Sequence, residues 1–166
     1  MTPRHLALLR HAKSSWSDPN LQDHDRPLMA RGCRAATRMG VYIRERGLIP
    51  DLVLCSSAKR ARQTLDLLRL PPDIEVLIED ELYAASATVL IARLRRVGDT
   101  SRSVLLIGHN PSIQDAAISL ARNPDAVERK FPTAALAEFL LPTVRWKDLG
   151  PAVAELKALT APRSLN

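Results

Sequence analysis

The chain has 166 residues, of which 46% are hydrophobic and 25% are charged, a balance that argues against wholesale disorder and favours one globular domain over residues 1–166. No apolar run approaches the roughly 20 residues of a membrane span, and two isolated cysteines form neither a disulfide framework nor a zinc cluster, so we expect a reduced, cytoplasmic protein. The net charge of +6, carried mainly by 19 arginines, leaves nucleic acid, an anionic substrate or mere solubility open.

Short apolar runs alternate with helix-period segments along the chain. Four runs are typical of buried strands, and they cover residues 6–9, 52–55, 74–78 and 104–107. Four segments carry apolar residues on one helical face, at residues 31–46, 58–68, 88–97 and 111–121. Two weaker apolar stretches follow, of which 136–141 fits a strand and 152–159 fits either a strand or a helix.

This alternation predicts an α/β fold, a three-layer sandwich in which a mostly parallel central sheet of about six strands carries helices on both faces. In such sheets, ligands bind at the carboxyl ends of the strands, where loops lead into helices. Three polar segments follow predicted strands, namely Arg10-His11, Ser56-Ser57 with Arg60 close behind, and Gly108-His109-Asn110-Pro111.

Each of these segments has an ordinary interpretation when it is taken alone. The first can be a surface loop, the second a helix capped by a serine, and the third a structural histidine before a helix that Asn110 caps. Two arginines at one sheet edge favour a phosphate or a dicarboxylate, and two histidines beside them indicate phosphoryl chemistry. We expect no metal site, because arginines repel a cation and no cluster has ligand spacing. The candidate site residues are Arg10, His11, Arg60 and His109.

Three segments resemble, in order and in spacing, the signature segments of the histidine phosphatase superfamily, which is phosphoglycerate-mutase-like. They are LLRHA at residues 8–12, SSAKRARQT at 56–64 and GHNP at 108–111. The short chain and the segments at 25–28, 81–83 and 132–133 resemble the small bacterial phosphohistidine phosphatase branch of that superfamily. The resemblance covers about residues 5–120.

This resemblance implies that His11 is a nucleophile that forms a phosphohistidine, which splits one hard displacement into two easier ones. It implies that Arg10, Arg60 and His109 bind the phosphoryl oxygens and stabilise the charge of the transition state. It also implies that no metal or other cofactor takes part, because side chains supply the positive charge.

Larger relatives use a carboxylic acid to protonate the leaving group. Glu81 matches that acid by position and Asp25 is a second candidate, although either can instead be a solvated or salt-bridged surface residue. Phosphohistidine leaves as an imidazole and needs less acid assistance than an alcohol, so an unclear acid is compatible with a phosphohistidine substrate. The candidates for the substrate entrance are Lys13, Ser14, Ser15, Trp16 and Thr133.

We therefore interpret the chain as a metal-independent phosphatase that acts on a phosphohistidine-bearing phosphotransfer or signalling protein and releases inorganic phosphate. A phosphatase or mutase of the same superfamily that takes a small phosphate ester is one alternative, and a non-catalytic basic module that binds phosphate or nucleic acid is another. Most other arginines, such as Arg34, Arg38 and Arg93, fall on solvent faces of predicted helices, so we expect no nucleic-acid partner. A monomer is compatible with the sequence, which leaves the oligomeric state open.

Overall fold

A computed structural model describes residues 2–165, and a six-stranded sheet forms the centre of this part of the chain. The strands are β1 (Arg4–Arg10), β2 (Leu52–Ser56), β3 (Glu75–Glu79), β4 (Ser103–Gly108), β5 (Leu136–Leu141) and β6 (Glu155–Thr160). Their order across the sheet is β3-β2-β4-β1-β5-β6. Strands β1 to β4 are mutually parallel, and β5 runs antiparallel to both of its neighbours. The mostly parallel α/β sheet is confirmed, and the ambiguous stretch 152–159 contributes a strand.

Helices cover both faces of the sheet, as the sequence predicts. The helices of the described residues are α1 (Ala30–Glu45), α2 (Lys59–Leu68), α3 (Ala87–Arg95), α4 (Ser112–Leu120) and α5 (Asp125–Arg129). The first four lie within one or two residues of the predicted bounds, whereas the five-residue α5 is too short to show a helical period. Within residues 2–165, no helix is long and apolar enough to cross a bilayer.

The core consists of two apolar layers, one on each face of the sheet. Alternate residues of a strand point to opposite faces, so Leu8 packs with α3 and α4 while Leu9 packs with α1 and α2. Both faces are buried, which explains why β2 and β4 are nearly continuous apolar runs in the sequence. Truncation of a fully buried leucine such as Leu8 costs about 2–5 kcal/mol.

The register of the central strands brings three of the predicted site segments to one edge. Arg10 at the end of β1 pairs with Gly108 at the end of β4, and Cys55 of β2 pairs with Ile107 of β4. The chain leaves β1 through α1 on one face and leaves β4 through α4 on the other face. Neighbouring strands whose connections depart to opposite faces open a crevice, and ligands of α/β sheets bind in such crevices.

Candidate active site

His11 is the first residue after β1, and its ring is nearly buried, with a relative exposure of 8% for the residue. Its Nδ1 lies 2.7 Å from the carbonyl oxygen of Ala12. A carbonyl oxygen only accepts hydrogen bonds, so we assign the proton to Nδ1, which leaves a lone pair on Nε2. Burial, followed by the charges of Arg60, Arg10 and Arg26, lowers the pKa of His11 to about 4. His11 is therefore a neutral imidazole near pH 7, with Nε2 available as a nucleophile.

His109 follows β4 at the level of His11, and the two ring centroids are 4.9 Å apart. Its Nε2 lies 2.8 Å from Oγ of Ser56, the fully buried last residue of β2. The same Oγ accepts the backbone N–H of Ala58 at 3.2 Å, so its own proton is free to be donated to Nε2. We therefore assign the ring proton of neutral His109 to Nδ1, a buried atom without a hydrogen-bond partner among residues 2–165. Burial, the charge of His11 and the charge of Arg60 lower the pKa of His109 to about 3.

Arg10, which is partly buried, and Arg60, which is buried, bring two guanidinium groups to the same edge of the sheet. Arg10 donates from Nη1 to the carbonyl oxygen of Phe131 at 2.9 Å. Arg60, in the first turn of α2, donates to the backbone oxygen of Asp23 at 2.7 Å and to its carboxylate at 3.0 Å. The Nε atoms of both arginines are buried and find no hydrogen-bond acceptor within the described residues. Buried donors of this kind cost free energy unless an acceptor reaches them, and a bound oxyanion supplies such acceptors.

These four side chains line one pocket of about 220 Å³. Its remaining lining residues are Lys13, Ser14, Trp16, Arg26, Asn110 and Thr133. Four of the five entrance candidates therefore lie at the pocket. Ser15 does not line it, because its hydroxyl lies 2.8 Å from that of Ser17 on the exposed side of the loop. Every ionisable group in this lining is basic, so the pocket suits a multiply charged oxyanion.

Arg26 is a pocket residue that the sequence analysis did not select. Its guanidinium is buried, donates to Ser14 Oγ at 2.6 Å and stacks 3.5 Å above the centre of the Trp16 ring. The loop that carries Arg26 folds back on the nucleophile segment through a bridge between Ser14 and Leu28. This contact between distant parts of an irregular loop leaves no periodic signal in the sequence.

Asp23 is a second residue that the sequence analysis missed. Its carboxylate accepts hydrogen bonds from the hydroxyl of Tyr83 at 2.6 Å, from Arg60 at 3.0 Å and from Arg26 at 3.1 Å. These three bonds, the one from Tyr83 first, hold the pKa of Asp23 well below its usual range. Asp23 is consequently an ionised acceptor that orients the two arginines, and it carries no proton to give to a leaving group.

The structure places both proposed general acids outside the pocket lining. Glu81 forms ion pairs with Arg96 and, at 3.5 Å, with Arg93. Asp25 is exposed, and its carboxylate lies 3.6 Å from Nδ1 of His24. Arg93 corrects a further expectation, because it is buried and bound to Glu79 at 2.6 Å rather than solvated.

The expected serine cap of α2 is also corrected, whereas Asn110 does bond to the start of α4. Helix α2 follows Ala58 without a side-chain cap, and the hydroxyls of Ser56 and Ser57 contact His109 and His24 instead. Helix α4 begins at Ser112 and Pro111 directly precedes it, while Asn110 Oδ1 still accepts the backbone N–H of Gln114 in the first turn at 3.3 Å.

Known proteins resemble this chain over nearly its whole length. The family model of the histidine phosphatase superfamily (branch 1) matches residues 6–88. An uncharacterized protein of Mycobacterium tuberculosis is 38% identical over 162 residues, which cover 93% of this chain and all of that protein.

Two solved structures share the fold and the length of this chain. A protein from Nakamurella multipartitia, provisionally described as the phosphohistidine phosphatase SixA, superposes with a TM-score of 0.88 at 33% identity and covers 98% of both chains. A protein from Agrobacterium tumefaciens with the same provisional description gives a TM-score of 0.80 at 29% identity, over 98% of this chain and 100% of its own. The chain therefore belongs to the histidine phosphatase superfamily, branch 1, and to its small SixA-like group.

Proposed function

We propose that this phosphatase hydrolyses phosphohistidine on a protein, with His11 as the nucleophile and without a metal. The observation that carries the proposal is the neutral, oriented imidazole of His11 in a pocket lined by Arg10, Arg60 and His109, each of which keeps one buried ring or guanidinium nitrogen without a partner within residues 2–165. Such donors stabilise the charge that develops on the phosphoryl oxygens in the transition state.

The reaction takes place in two displacements. Nε2 of His11 attacks the phosphorus, the bond from phosphorus to the substrate breaks, and its electron pair goes to the leaving nitrogen. A water molecule then attacks the phosphorus on His11 and passes a proton to solvent, while the P–N bond breaks and its electron pair returns to Nε2, which leaves inorganic phosphate and the neutral imidazole. The two displacements together replace the direct attack of water on the substrate, which is the advantage of a covalent intermediate.

The substrate class follows from the leaving group. An alkoxide needs a proton from a general acid, and no carboxyl group lies among the pocket lining residues of the described chain. The imidazole of a phosphohistidine is a better leaving group, so it needs less assistance. The same lining favours a phosphorylated side chain of a protein, because the pocket opens at the exposed Trp16 and Lys13.

A substrate panel tests this proposal. Wild type and His11→Ala are incubated with a phosphohistidine-labelled protein, with phosphoramidate, with p-nitrophenyl phosphate and with sugar phosphates, and the reactions are quenched in alkali, where phosphohistidine survives. We expect phosphate release from phosphohistidine with the highest kcat/KM, and its loss in His11→Ala. Release from phosphate esters alone would contradict the substrate and favour a small-molecule phosphatase or mutase. No release above the His11→Ala level from any substrate would indicate a binding module.

A further inference from the structure

A second groove, of about 310 Å³, lies next to the catalytic pocket and shares Lys13 and Thr133 with it. Its other basic residues are Arg31 and Arg38 of α1 and Arg163, which follows β6 in a short 3-10 turn. We call the surface formed by Lys13, Arg31, Arg38 and Arg163 the basic groove. The shared residues make it a continuation of the catalytic pocket along the surface.

The four cations of the basic groove are exposed and uncompensated. None of them makes an ion pair or a side-chain hydrogen bond within residues 2–165, although eight arginine–carboxylate pairs connect other residues there. The groove lining includes no acidic side chain. Like charges around one concave surface repel each other and raise the local potential, so an anionic partner gains more here than on a mixed surface.

The spacing of the cations indicates the size of the partner. Arg31 and Arg38 are seven residues apart on one face of α1, which is about 10 Å along the helix axis. Anionic groups that reach both arginines must therefore be several and spread out, as in a peptide with repeated carboxylates. Small side chains between the cations, Ala35 and Ala161, leave room for an extended backbone. The described lining contains no aromatic ring on which a nucleic-acid base could stack.

We propose that the basic groove binds a carboxylate-rich segment of the substrate protein that flanks its phosphorylated side chain. This proposal rests on the proposed function, because it places the phosphohistidine in the pocket and the acidic flank in the groove. Exposed cations of this kind accelerate association and select partners, and their effect weakens as salt screens them.

Peptide binding tests the groove without relying on catalysis. Two fluorescent peptides of equal length carry one histidine flanked either by four glutamates or by four glutamines, and their affinities are measured by anisotropy at low and at high salt. The groove variant is Arg31→Gln/Arg163→Gln, which leaves Lys13 of the catalytic pocket intact. The matched control is Arg46→Gln/Lys157→Gln, which removes the same charge from exposed positions outside the groove lining.

We expect the groove variant to bind the glutamate peptide about fivefold more weakly at low salt, since two exposed ion pairs contribute about 0.5 kcal/mol each. The control variant and the glutamine peptide should change less than twofold. Equal losses in both variants, or equal affinity of the wild type for both peptides, would overturn the proposal. Tighter binding of single-stranded RNA than of the glutamate peptide would also overturn it.

A kinetic measurement separates this proposal from the proposed function. With the wild type, the phosphorylated forms of the two peptides should differ in kcat/KM by the same factor as the two peptides differ in affinity. The groove variant should lose that difference. If neither phosphohistidine peptide is hydrolysed while p-nitrophenyl phosphate is, the proposed function fails, and the anisotropy result still decides whether the groove binds an acidic segment.

Discussion

Replacement of Ser56 by alanine tests how the pocket controls His109. Ser56 Oγ accepts the backbone N–H of Ala58 and faces Nε2 of His109 at 2.8 Å, so it holds the ring and favours the tautomer with its proton on Nδ1. In Ser56→Ala, Nε2 loses this partner in a fully buried environment, and the two ring tautomers become more nearly equal. Ser56 acts through His109, so we describe it as a positioning residue.

The expected magnitude follows from one buried hydrogen bond. A buried donor or acceptor without its partner costs about 1–3 kcal/mol, and each 1.36 kcal/mol of lost transition-state stabilisation is tenfold in rate. Complete removal of one oxyanion donor costs about 10²–10³ in kcat, so a loosened His109 should cost less than that. We therefore expect Ser56→Ala to lower kcat about 10- to 100-fold and the free energy of unfolding by about 1–3 kcal/mol.

The assay is p-nitrophenyl phosphate hydrolysis without denaturant, at a temperature well below the unfolding midpoint of the variant. Ser57→Ala is the matched control, because its hydroxyl lies 2.9 Å from His24, which is not a lining residue of the pocket. Nitrogen chemical shifts of His109 should show protonated Nδ1 and bare Nε2 in the wild type, and a tautomer mixture in Ser56→Ala. A fully active Ser56→Ala, an equal loss in Ser57→Ala, or unchanged nitrogen shifts would refute the reasoning.

Three further predictions concern pH, the acid candidate Glu81 and the packing of the nucleophile loop. The pKa of His11 is lowered to about 4, so kcat/KM corrected for substrate ionisation should stay constant from pH 7 to pH 5 and fall as the pH drops through 4. A fall centred near pH 6.5 would contradict this environment of His11. Glu81→Gln should retain activity within about twofold, since its carboxylate pairs with Arg96 outside the pocket, and a hundredfold loss would restore it as the acid. Gly32→Ala should lower the free energy of unfolding by about 1–3 kcal/mol in denaturant titrations, because the new Cβ would clash with the Lys13 carbonyl oxygen. An unchanged denaturation midpoint would show that the backbone relieves this close approach without cost.

The sequence predicts most of the fold because strands that are buried on both faces consist of short, uninterrupted runs of apolar residues. Strands β2 and β4 have this pattern, and their bounds extend the predicted ranges by only one or two residues. The antiparallel direction of β5 is less accessible, since it depends on where residues 121–135 carry the chain and not on the strand's own residues. The single turn of α5 in that connection shows no period that identifies a helix.

The candidate site is predictable where a site residue comes directly after a strand. His11 and His109 are the residues after paired strand ends, so placing the strands also places the histidines. Asp23 and Arg26 lie in an irregular loop whose position depends on contacts with the nucleophile segment, and they could not be found from periodicity. Glu81 matches the general acid of larger relatives by its position in the sequence. That match did not predict that Arg93 and Arg96 would form ion pairs with its carboxylate.

The most direct test of the account is the identification of the phosphorylated residue during turnover. The enzyme is mixed rapidly with radiolabelled substrate, quenched in alkali, digested and analysed by mass spectrometry. The account predicts an alkali-stable phosphate on His11 that appears before inorganic phosphate accumulates and is absent in His11→Ala. Phosphate on another residue, or steady turnover in a His11→Ala enzyme, would contradict it.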